Sequence, residues 1–323
     1  MDNTTVLVLA NPADRQLAML QSVPDEIHIV VGDSVEAFRQ SAADAGVIFN
    51  WSGPRTLLRE VLAMAPQARW VHTRAAGLDD LLFPELVAHP AMLTNASGVF
   101  SPPLGEFALG AIFYFARDFR RLVRNQAAGV WEQFEVPLIE GQTLGIVGYG
   151  DIGRAVATRA RAVGMRILAL KRHSPPPHNA DPLVERIYGP ENRCEMLAQC
   201  DYVVIAAPLT PETRGMIGVA EFASMKREAV LVNIGRGAIV DEAALIQALS
   251  QGIVRGAALD VFDREPLPAG HPYYRLENVL LSPHSADHTP DWKERAMQFF
   301  LDQFERFRNG QPLANVVEKK LGY

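Results

Sequence analysis

The chain has 323 residues, enough for two domains of ordinary size, and it carries a net charge of −6. Apolar residues make up 48% and charged residues 21%, a balance that excludes a disordered or fibrous protein. The negative charge argues against nucleic acid and anionic membrane surfaces as partners, because both favour basic patches.

The sequence shows no signal-peptide pattern near Met1 and no apolar run of the ~20 residues that span a bilayer. We therefore expect a cytoplasmic protein. The two cysteines, Cys194 and Cys200, fit no metal-ligand spacing and are too few for a disulfide framework. We predict two reduced thiols and no metal site.

Short β-branched runs alternate with amphipathic helical patterns along the chain. Strands are predicted at 6–10, 27–31, 47–50 and 69–72, with helices at 14–20 and 55–64. The alternation restarts at 143–147 and continues with strands at 166–170, 202–206, 230–233, 257–261 and 279–282. Because strands separated by helices build parallel sheets, we predict an α/β protein with two Rossmann-like or flavodoxin-like domains.

The boundary between the domains is predicted near residues 97–103. Ser101 suits the N-cap of a helix, and Pro102 then takes the first helical position, where its missing N–H costs nothing. One continuous helix is predicted from there to about Arg124, and another at 292–307. If the last helix returns to the first domain, residues 1–100 plus 289–323 form a discontinuous substrate-binding domain. Residues 101–288 then form the dinucleotide-binding domain.

A glycine-rich turn follows the strand at 143–147 and precedes a helix predicted at 154–163. Gly148 permits the tight turn, Gly150 allows a pyrophosphate to approach, and Gly153 allows the helix to pack on the strand. The free N–H groups and partial positive charge of the helix N-terminus suit phosphate groups. This turn, with Asp151 and Ile152, is therefore a predicted dinucleotide site.

Cofactor choice is predicted from the end of the next strand. A carboxylate there would bind the adenosine 2′-hydroxyl of NAD, but this strand ends in Lys171 and Arg172. Two cations suit the 2′-phosphate of NADP, so we predict that NADP is favoured over NAD. The alternative is that both side chains are simply solvated beyond the strand.

Three further segments, 232–241, 258–266 and 281–286, have polar residues after predicted strands. Ligands of open α/β sheets bind at the carboxyl ends of the strands. A guanidinium such as that of Arg236 can hold a carboxylate by two parallel hydrogen bonds. A histidine such as His284 suits proton transfer at neutral pH. Taken singly, each residue also has a structural interpretation in a turn or loop.

Together, these motifs resemble the D-isomer-specific 2-hydroxyacid dehydrogenase family, which includes glyoxylate/hydroxypyruvate reductases. The glycine motif, the Gly-Arg-Gly segment, the Asp-Val-Phe…Glu-Pro segment and the Pro-His segment occur in the family's order, from about Ala75 to His284. The resemblance implies two α/β domains with parallel sheets and an interdomain active-site cleft. It also implies an enzyme that transfers a hydride between NAD(P) and a small 2-oxo or 2-hydroxy acid.

The resemblance assigns roles to particular residues of the second domain. Arg236 is expected to bind the substrate carboxylate, His284 to act as general acid/base, and Glu265 to hydrogen-bond His284. Asp260 is expected on the nicotinamide side of the cofactor. Further cofactor contacts are expected from Pro208, Thr213 and Ile234.

In the first domain, the family holds the substrate carboxylate through backbone N–H groups of a glycine loop, and Ala76 and Gly77 match that loop. Trp51 is predicted either to line the substrate pocket or to pack within its own loop. Arg74 is predicted either to bind the carboxylate or a second anionic group of the substrate, or to form a surface salt bridge.

Glyoxylate and hydroxypyruvate are the favoured substrates, because the resemblance and the Lys171–Arg172 pair both indicate an NADPH-linked reductase. One alternative is a phosphoglycerate dehydrogenase. Another is a formate-type dehydrogenase, whose family has glutamine where Glu265 stands. A third is a nucleotide-sensing, corepressor-like binding protein. Related enzymes pair through their cofactor domains, so we expect a homodimer, with Trp131 and Phe134 as candidate contacts.

Overall fold

The computed structural model describes residues 4–172 and 181–322. The chain packs as two compact units. The first comprises Met1–Phe100 and Thr289–Tyr323, and the second comprises Ser101–His288. No helix of the described chain has the length and apolar character needed to cross a bilayer.

Strands and helices alternate through most of the chain. The strands are β1 Thr5–Leu9, β2 His28–Gly32, β3 Ala45–Asn50, β4 Trp70–Thr73, β5 Met92–Asn95, β6 Thr143–Val147, β7 Arg166–Leu170, β8 Arg186–Tyr188, β9 Tyr202–Ile205, β10 Val230–Asn233, β11 Gly256–Leu259 and β12 Val279–Leu281. The helices are α1 Arg55–Met64, α2 Pro84–Ala88, α3 Ser101–Ala116, α4 Phe119–Ala128, α5 Asp151–Ala162, α6 Arg193–Leu197, α7 Val219–Ser224, α8 Glu242–Ser250 and α9 Trp292–Arg308.

The first unit is built on a parallel sheet. Within the described residues its strand order is β2-β1-β3-β4-β5, the flavodoxin-like order. The central strands β1, β3 and β4 are buried on both faces, which explains why β1 and β3 are largely apolar along their length rather than alternating. On one face Ile48 packs in a cluster with Leu58 of α1.

The other face of this sheet carries an aromatic cluster that includes α9. Phe49 stacks on Phe300 with ring centroids 3.8 Å apart, and Trp70 stacks on the same ring at 5.5 Å. His72 lies within this cluster, 5.6 Å from Phe300, and is fully buried. Burial lowers the pKa of His72 to about 3, so the imidazole is neutral in the folded protein.

A segment after α9 covers the outer edge of the same sheet. Val316 forms an antiparallel bridge with Thr94 of β5, and the N–H of Val317 donates to the carbonyl of Leu93 at 2.8 Å. The ammonium of Lys319 donates to backbone carbonyls at the end of α2 and just beyond it, those of Leu86, His89 and Ala91. A cation at this position satisfies carbonyl groups that the last turn leaves unpaired.

The second unit contains a larger parallel sheet. In the described part of the chain its order is β12-β11-β10-β9-β6-β7-β8. The chain runs from β6 outward to β8 and then returns to β9, which pairs with β6 on its other side. This is the Rossmann arrangement, and the reversal between β6 and β9 is where such sheets bind dinucleotides. The predicted fold class is confirmed.

One prediction of local structure was wrong, one predicted helix is of a different type, and two strands were missed. The helix expected from Ser101 to about Arg124 is two helices, because Asp118 adopts a left-handed conformation (φ 49°, ψ 49°) and begins α4 as its N-cap. The segment at 14–20 forms a 3₁₀ helix, Arg15–Ser22, rather than an α-helix. Strands β5 and β8 were not predicted; they are short and contain polar residues.

Candidate active site

The glycine turn after β6 has the geometry that its sequence predicted. Gly148 has a φ of 94°, and a Cβ there would lie 2.5 Å from the backbone of Ala207. A Cβ on Gly153 would collide with the carbonyl oxygen of Gly148. A Cβ on Gly150, by contrast, would meet nothing within 4 Å. Glycine is therefore needed for packing at two positions, and at the third it leaves a face open to a ligand.

The first turn of α5 follows directly from Gly150, which is its N-cap. The carboxylate of Asp151 accepts a hydrogen bond from the hydroxyl of Ser101, and Ile152 is partly exposed. Arg154 is paired internally, because its Nε donates to Asp181 Oδ2 at 2.7 Å. The amides at the start of α5 and the open face of Gly150 fit a pyrophosphate.

The end of β7 carries the two cations that suggested NADP. Lys171 is exposed, and its backbone N–H donates to the carbonyl of Tyr188 at 3.0 Å. The guanidinium of Arg172 lies against a carboxylate, with Nη2 3.1 Å from Glu212 Oε2. This acidic partner was not predicted, since it follows Arg172 by forty positions in the sequence.

Glu212 belongs to the loop after β9, which also contains two predicted cofactor contacts. The hydroxyl of Thr213 donates to the carbonyl of Pro208 at 2.7 Å and accepts from the N–H of Thr210 at 2.8 Å. These bonds fix the conformation of the loop. Ala207, at the start of the loop, lies against Gly148 and so places the loop beside the glycine turn. Ile234, at the end of β10, is buried, and its N–H donates to the carbonyl of Ile205.

Arg236 follows β10 in the Gly-Arg-Gly segment and is partly exposed. Its Nη1 donates to the carbonyl of Gly235 at 2.9 Å, and its own carbonyl accepts from Nδ2 of Asn233 at 3.0 Å. A Cβ on Gly237 would overlap the backbone of Phe262. The second glycine therefore allows the Arg236 loop to lie directly on the loop that follows β11.

Glu265 and His284 are in direct contact. Glu265 Oε2 lies 2.6 Å from Nδ1 of His284, while Oε1 accepts from the N–H of Phe262 at 2.9 Å. The carboxylate is thus oriented by one backbone bond and by one bond to the imidazole. About two fifths of the His284 side chain is exposed (43%), so the ring can reach a ligand.

Asp260 organises the loop that carries His284. It is 1% exposed, and its Oδ1 accepts from the hydroxyl of Ser282 at 2.5 Å and from the N–H groups of Ser285 and Ala286. Its carbonyl accepts from the N–H of His284 at 2.9 Å. This positioning role was not predicted from the sequence, which suggested for Asp260 only a place on the nicotinamide side of the cofactor.

The first unit holds the other predicted substrate residues, at the carboxyl ends of β3 and β4. The glycine loop is fixed by Nδ2 of Asn95, which donates to the carbonyl of Ala76 at 2.7 Å. Within the described residues, the backbone N–H groups of Ala76 and Gly77 donate to no protein acceptor. Two adjacent N–H groups without protein partners can bind a carboxylate.

Trp51 and Arg74 are stacked on each other in the first unit. The guanidinium carbon of Arg74 lies 4.6 Å from the ring centre of Trp51 and 5.0 Å from that of Trp292. The Trp51 ring is 2% exposed, and its Nε1 donates to Asp14 at 3.0 Å, which supports the alternative that it packs within its loop. Burial lowers the pKa of Arg74, and the nearby charge of Asp14 opposes that effect.

In the described residues, no three His, Cys, Asp or Glu side chains form a group that could bind a metal ion.

One further acid near the histidine loop was not predicted. Asp287 is largely buried, and burial raises the pKa of its carboxyl. Its Oδ1 has no hydrogen-bond partner in the described structure.

Comparison with known proteins identifies the family. The profile described as "D-isomer specific 2-hydroxyacid dehydrogenase, NAD binding domain" matches residues 109–286, more than half of the chain. The glyoxylate reductase of Korarchaeum cryptofilum is 36% identical over 268 residues, which cover 81% of this chain and 80% of that protein. The chain belongs to the D-isomer specific 2-hydroxyacid dehydrogenase family. The predicted resemblance is confirmed, and with it a nicotinamide-dependent oxidoreductase.

Solved structures of this dehydrogenase family agree in fold over the whole chain. The enzyme from Xanthobacter autotrophicus, in complex with NADPH and MES, has a TM-score of 0.85 at 28% identity and covers 100% of both chains. The NADPH-dependent glyoxylate/hydroxypyruvate reductase of Sinorhizobium meliloti, in complex with NADP and sulfate, has a TM-score of 0.82 at 25% identity, covering 99% of this chain and 100% of that one.

Proposed function

We propose that this dehydrogenase reduces a small 2-oxo acid to the 2-hydroxy acid, of D configuration where C2 becomes a stereocentre, with glyoxylate and hydroxypyruvate as the favoured substrates. The observation that carries the proposal is the 2.6 Å contact between His284 and Glu265. It lies at the carboxyl ends of β11 and β12, next to β10, which leads into the Gly-Arg-Gly segment. An acid/base pair beside a guanidinium suits a substrate with a carbonyl next to a carboxylate.

When bound, the nicotinamide supplies the hydride that reduces C2 of the substrate. In the proposed mechanism Arg236 binds the carboxylate and orients the carbonyl oxygen. His284 donates a proton to that oxygen as negative charge develops on it, and Glu265 stabilises the imidazolium before the transfer. The products are the 2-hydroxy acid and the oxidised cofactor, with a neutral histidine that takes up a proton from solvent.

We propose that residues of the first unit also bind the substrate. The N–H groups of Ala76 and Gly77 would donate hydrogen bonds to the substrate carboxylate, because they donate to no protein acceptor in the described chain. The stacked guanidinium of Arg74, with Trp51 as its support, would bind the carboxylate or a second anionic group of the substrate. An Arg74→Met variant that lost affinity for dianionic 2-oxo acids alone would support the second role.

We propose NADPH as the preferred cofactor, on the pair of cations at the end of β7. The amides at the start of α5, with Asp151 and Ile152, would bind the pyrophosphate, and the loop containing Pro208 and Thr213 would line the cofactor. Steady-state kinetics with both cofactors tests the preference. A markedly higher kcat/KM with NADPH is expected, and comparable KM values for NADH and NADPH would contradict it.

We propose that the protein is a homodimer formed through an apolar surface of the second unit, which includes Phe119, Val123, Trp131 and Leu138. Each of these is at least 43% exposed, and Trp131 is 95% exposed. Light scattering on the purified protein should give the mass of a dimer, and Trp131→Glu combined with Leu138→Glu should give a monomer. A monomeric wild-type protein would refute the proposal.

The predicted cytoplasmic location stays a prediction.

The decisive test of the reaction is NADPH oxidation, followed by absorbance, with glyoxylate, hydroxypyruvate, pyruvate and phenylpyruvate. Each assay is repeated with NADH. Fast turnover of glyoxylate or hydroxypyruvate is expected. Nucleotide binding without turnover of any of these acids would contradict the proposal and favour a nucleotide-sensing protein.

A further inference from the structure

Arg172, which the proposed function assigns to the 2′-phosphate of NADP, already faces an anion of the protein itself. Its Nη2 is 3.1 Å from Glu212 Oε2, and 68% of the Glu212 side chain is exposed against 31% of Arg172. A hydrogen bond from the Thr210 side chain and the charge of Arg172 both lower the pKa of Glu212. The carboxylate is therefore ionised at neutral pH and competes for the guanidinium.

The Glu212 carboxylate is held on a loop that is fixed independently of Arg172. Thr210, at the start of the turn, is buried, and its N–H donates to the hydroxyl of Thr213. The N–H of Arg214 donates back to the carbonyl of Thr210 at 3.0 Å. Glu212 lies within this turn, so its position does not depend on the ion pair alone.

We propose that Glu212 is a specificity-determining residue, whose carboxylate occupies the guanidinium of Arg172 and so weakens binding of a 2′-phosphate. This inference rests on the proposed function, in which Arg172 binds that phosphate. A nucleotide with a free 2′-hydroxyl leaves the Arg172–Glu212 pair intact. A nucleotide with a 2′-phosphate has to displace Glu212 or bind beside its negative charge. Glu212 thereby narrows the difference in affinity between NADP and NAD.

The test is the affinity of the protein for 2′,5′-ADP and for 5′-AMP, measured by titration calorimetry on wild type and on Glu212→Gln. The two probes differ only in the 2′-phosphate. We expect Glu212→Gln to bind 2′,5′-ADP about two- to fivefold more tightly, the range that exposed charge pairs contribute, with no change for 5′-AMP. The gain should shrink as salt screens the charges. The kcat/KM ratio of NADPH to NADH should rise by a similar factor.

The matched control is Glu195→Gln, which breaks an exposed pair with Arg186 (3.0 Å) elsewhere in the same unit. It should leave both affinities unchanged. In an Arg172→Ala background the gain from Glu212→Gln should disappear. An unchanged or weaker affinity of Glu212→Gln for 2′,5′-ADP, an equal gain for 5′-AMP, or a gain that persists without Arg172 overturns the inference.

The proposed cofactor preference is judged separately, from the kcat/KM ratio of the wild-type enzyme. A wild type that favours NADH refutes that preference. The inference about Glu212 still stands in that case if Glu212→Gln shifts both the affinity for 2′,5′-ADP and the kcat/KM ratio toward the phosphorylated nucleotide.

Discussion

His284 presents its imidazole from a backbone conformation that few residues other than glycine adopt. Its φ is 51°, in the left-handed region, which costs a residue with a Cβ roughly 1–2 kcal/mol. The carbonyl of Asp260 accepts the His284 N–H, and the Asp260 carboxylate accepts the next two N–H groups. We infer that Asp260 offsets the strain and fixes the direction in which the imidazole points.

His284→Asn tests the proton donor with little effect on the backbone, because asparagine tolerates the left-handed region. We expect kcat/KM for reduction of the 2-oxo acid to fall at least ~100-fold, which is the lower end of what a positioned acid contributes. The Kd for NADPH, measured by fluorescence titration, should stay within about twofold, because the change leaves the glycine turn and the β7 end intact.

The matched control is His271→Asn, which alters a second histidine–glutamate pair of the same unit. His271 Nε2 lies 3.1 Å from Glu242, and its side chain is only 12% exposed. This variant should lower stability but leave the rate nearly unchanged. A His284→Asn enzyme within about threefold of wild type would remove His284 from the mechanism, since that loss is far below the expected range.

Glu265→Gln separates the charge of Glu265 from its shape. A glutamine oxygen can still accept from the N–H of Phe262, but it no longer stabilises an imidazolium. Hydrogen bonds to charged groups contribute about 1.5–3 kcal/mol, so we expect kcat/KM to fall about 10- to 100-fold. Stopped-flow and steady-state rates in both reaction directions measure this. A loss below about twofold would show that the carboxylate only shapes the loop.

At the scale of elements, α7 depends on one buried carboxylate. Glu221 is 5% exposed; its Oε2 accepts from the N–H of Gly218 at the N-cap, and its Oε1 accepts from Arg193 at 2.7 Å. Glu221→Ala leaves both donors unsatisfied, and we expect it to lower the free energy of unfolding by about 2–3 kcal/mol. Glu221→Gln keeps the cap and should cost less.

Urea unfolding followed by circular dichroism measures these losses. Glu195→Gln is the reference, because it breaks an exposed pair and should cost less than about 0.5 kcal/mol. Equal losses for Glu221→Ala and Glu195→Gln would mean that the cap of α7 contributes little.

Strands and helices with strong hydrophobic periodicity were predictable from the sequence, and those defined by distant packing were not. β6, β7 and β10 have the predicted bounds, because their apolar runs end at glycine or polar residues. The break between α3 and α4 was missed, because Asp118 can serve either within a helix or as an N-cap. β5 and β8 were missed, because their pairing with neighbouring strands outweighs their composition.

The residues of the candidate site likewise fall into those that were predictable from the sequence and those that were not. The glycine turn, Arg236, Glu265 and His284 each follow a strand, so the sheet order alone brings them to one edge. Arg172, which the sequence analysis assigned to the 2′-phosphate, is paired with Glu212, and Arg154 of the glycine turn's helix is paired with Asp181. Such pairs depend on how loops fold back, and loop paths are not encoded in hydrophobic periodicity.

At the scale of the whole molecule, the first unit is expected to lose stability in mild acid. The pKa of His72 is lowered to about 3 in the folded protein, from 6.5 when exposed, so the unfolded chain binds a proton that the folded chain excludes. The free energy of unfolding is undiminished by this group well above pH 6.5, and it falls as the pH drops through that value. At pH 5.5 the loss from this group alone is about 1.4 kcal/mol.

Unfolding of the first unit can be followed by tryptophan fluorescence, since this unit contains Trp51, Trp70 and Trp292, and the ring centre of Trp70 lies 5.8 Å from that of His72. His72→Phe has no such proton, so the wild type should lose about 1.4 kcal/mol more than this variant between pH 7.5 and 5.5. The other titrating groups cancel in that difference. Parallel pH profiles of the two proteins would show that His72 does not titrate on unfolding in this range.

The segment that carries Val316 and Val317 has a consequence for aggregation. It runs along β5, the outermost strand of the first sheet, and takes up part of its hydrogen-bonding edge. Without it, a row of backbone N–H and C=O groups would face solvent and could template pairing with another chain. Loss of this segment should therefore appear first as turbidity at high protein concentration, before any loss of the second unit's nucleotide binding.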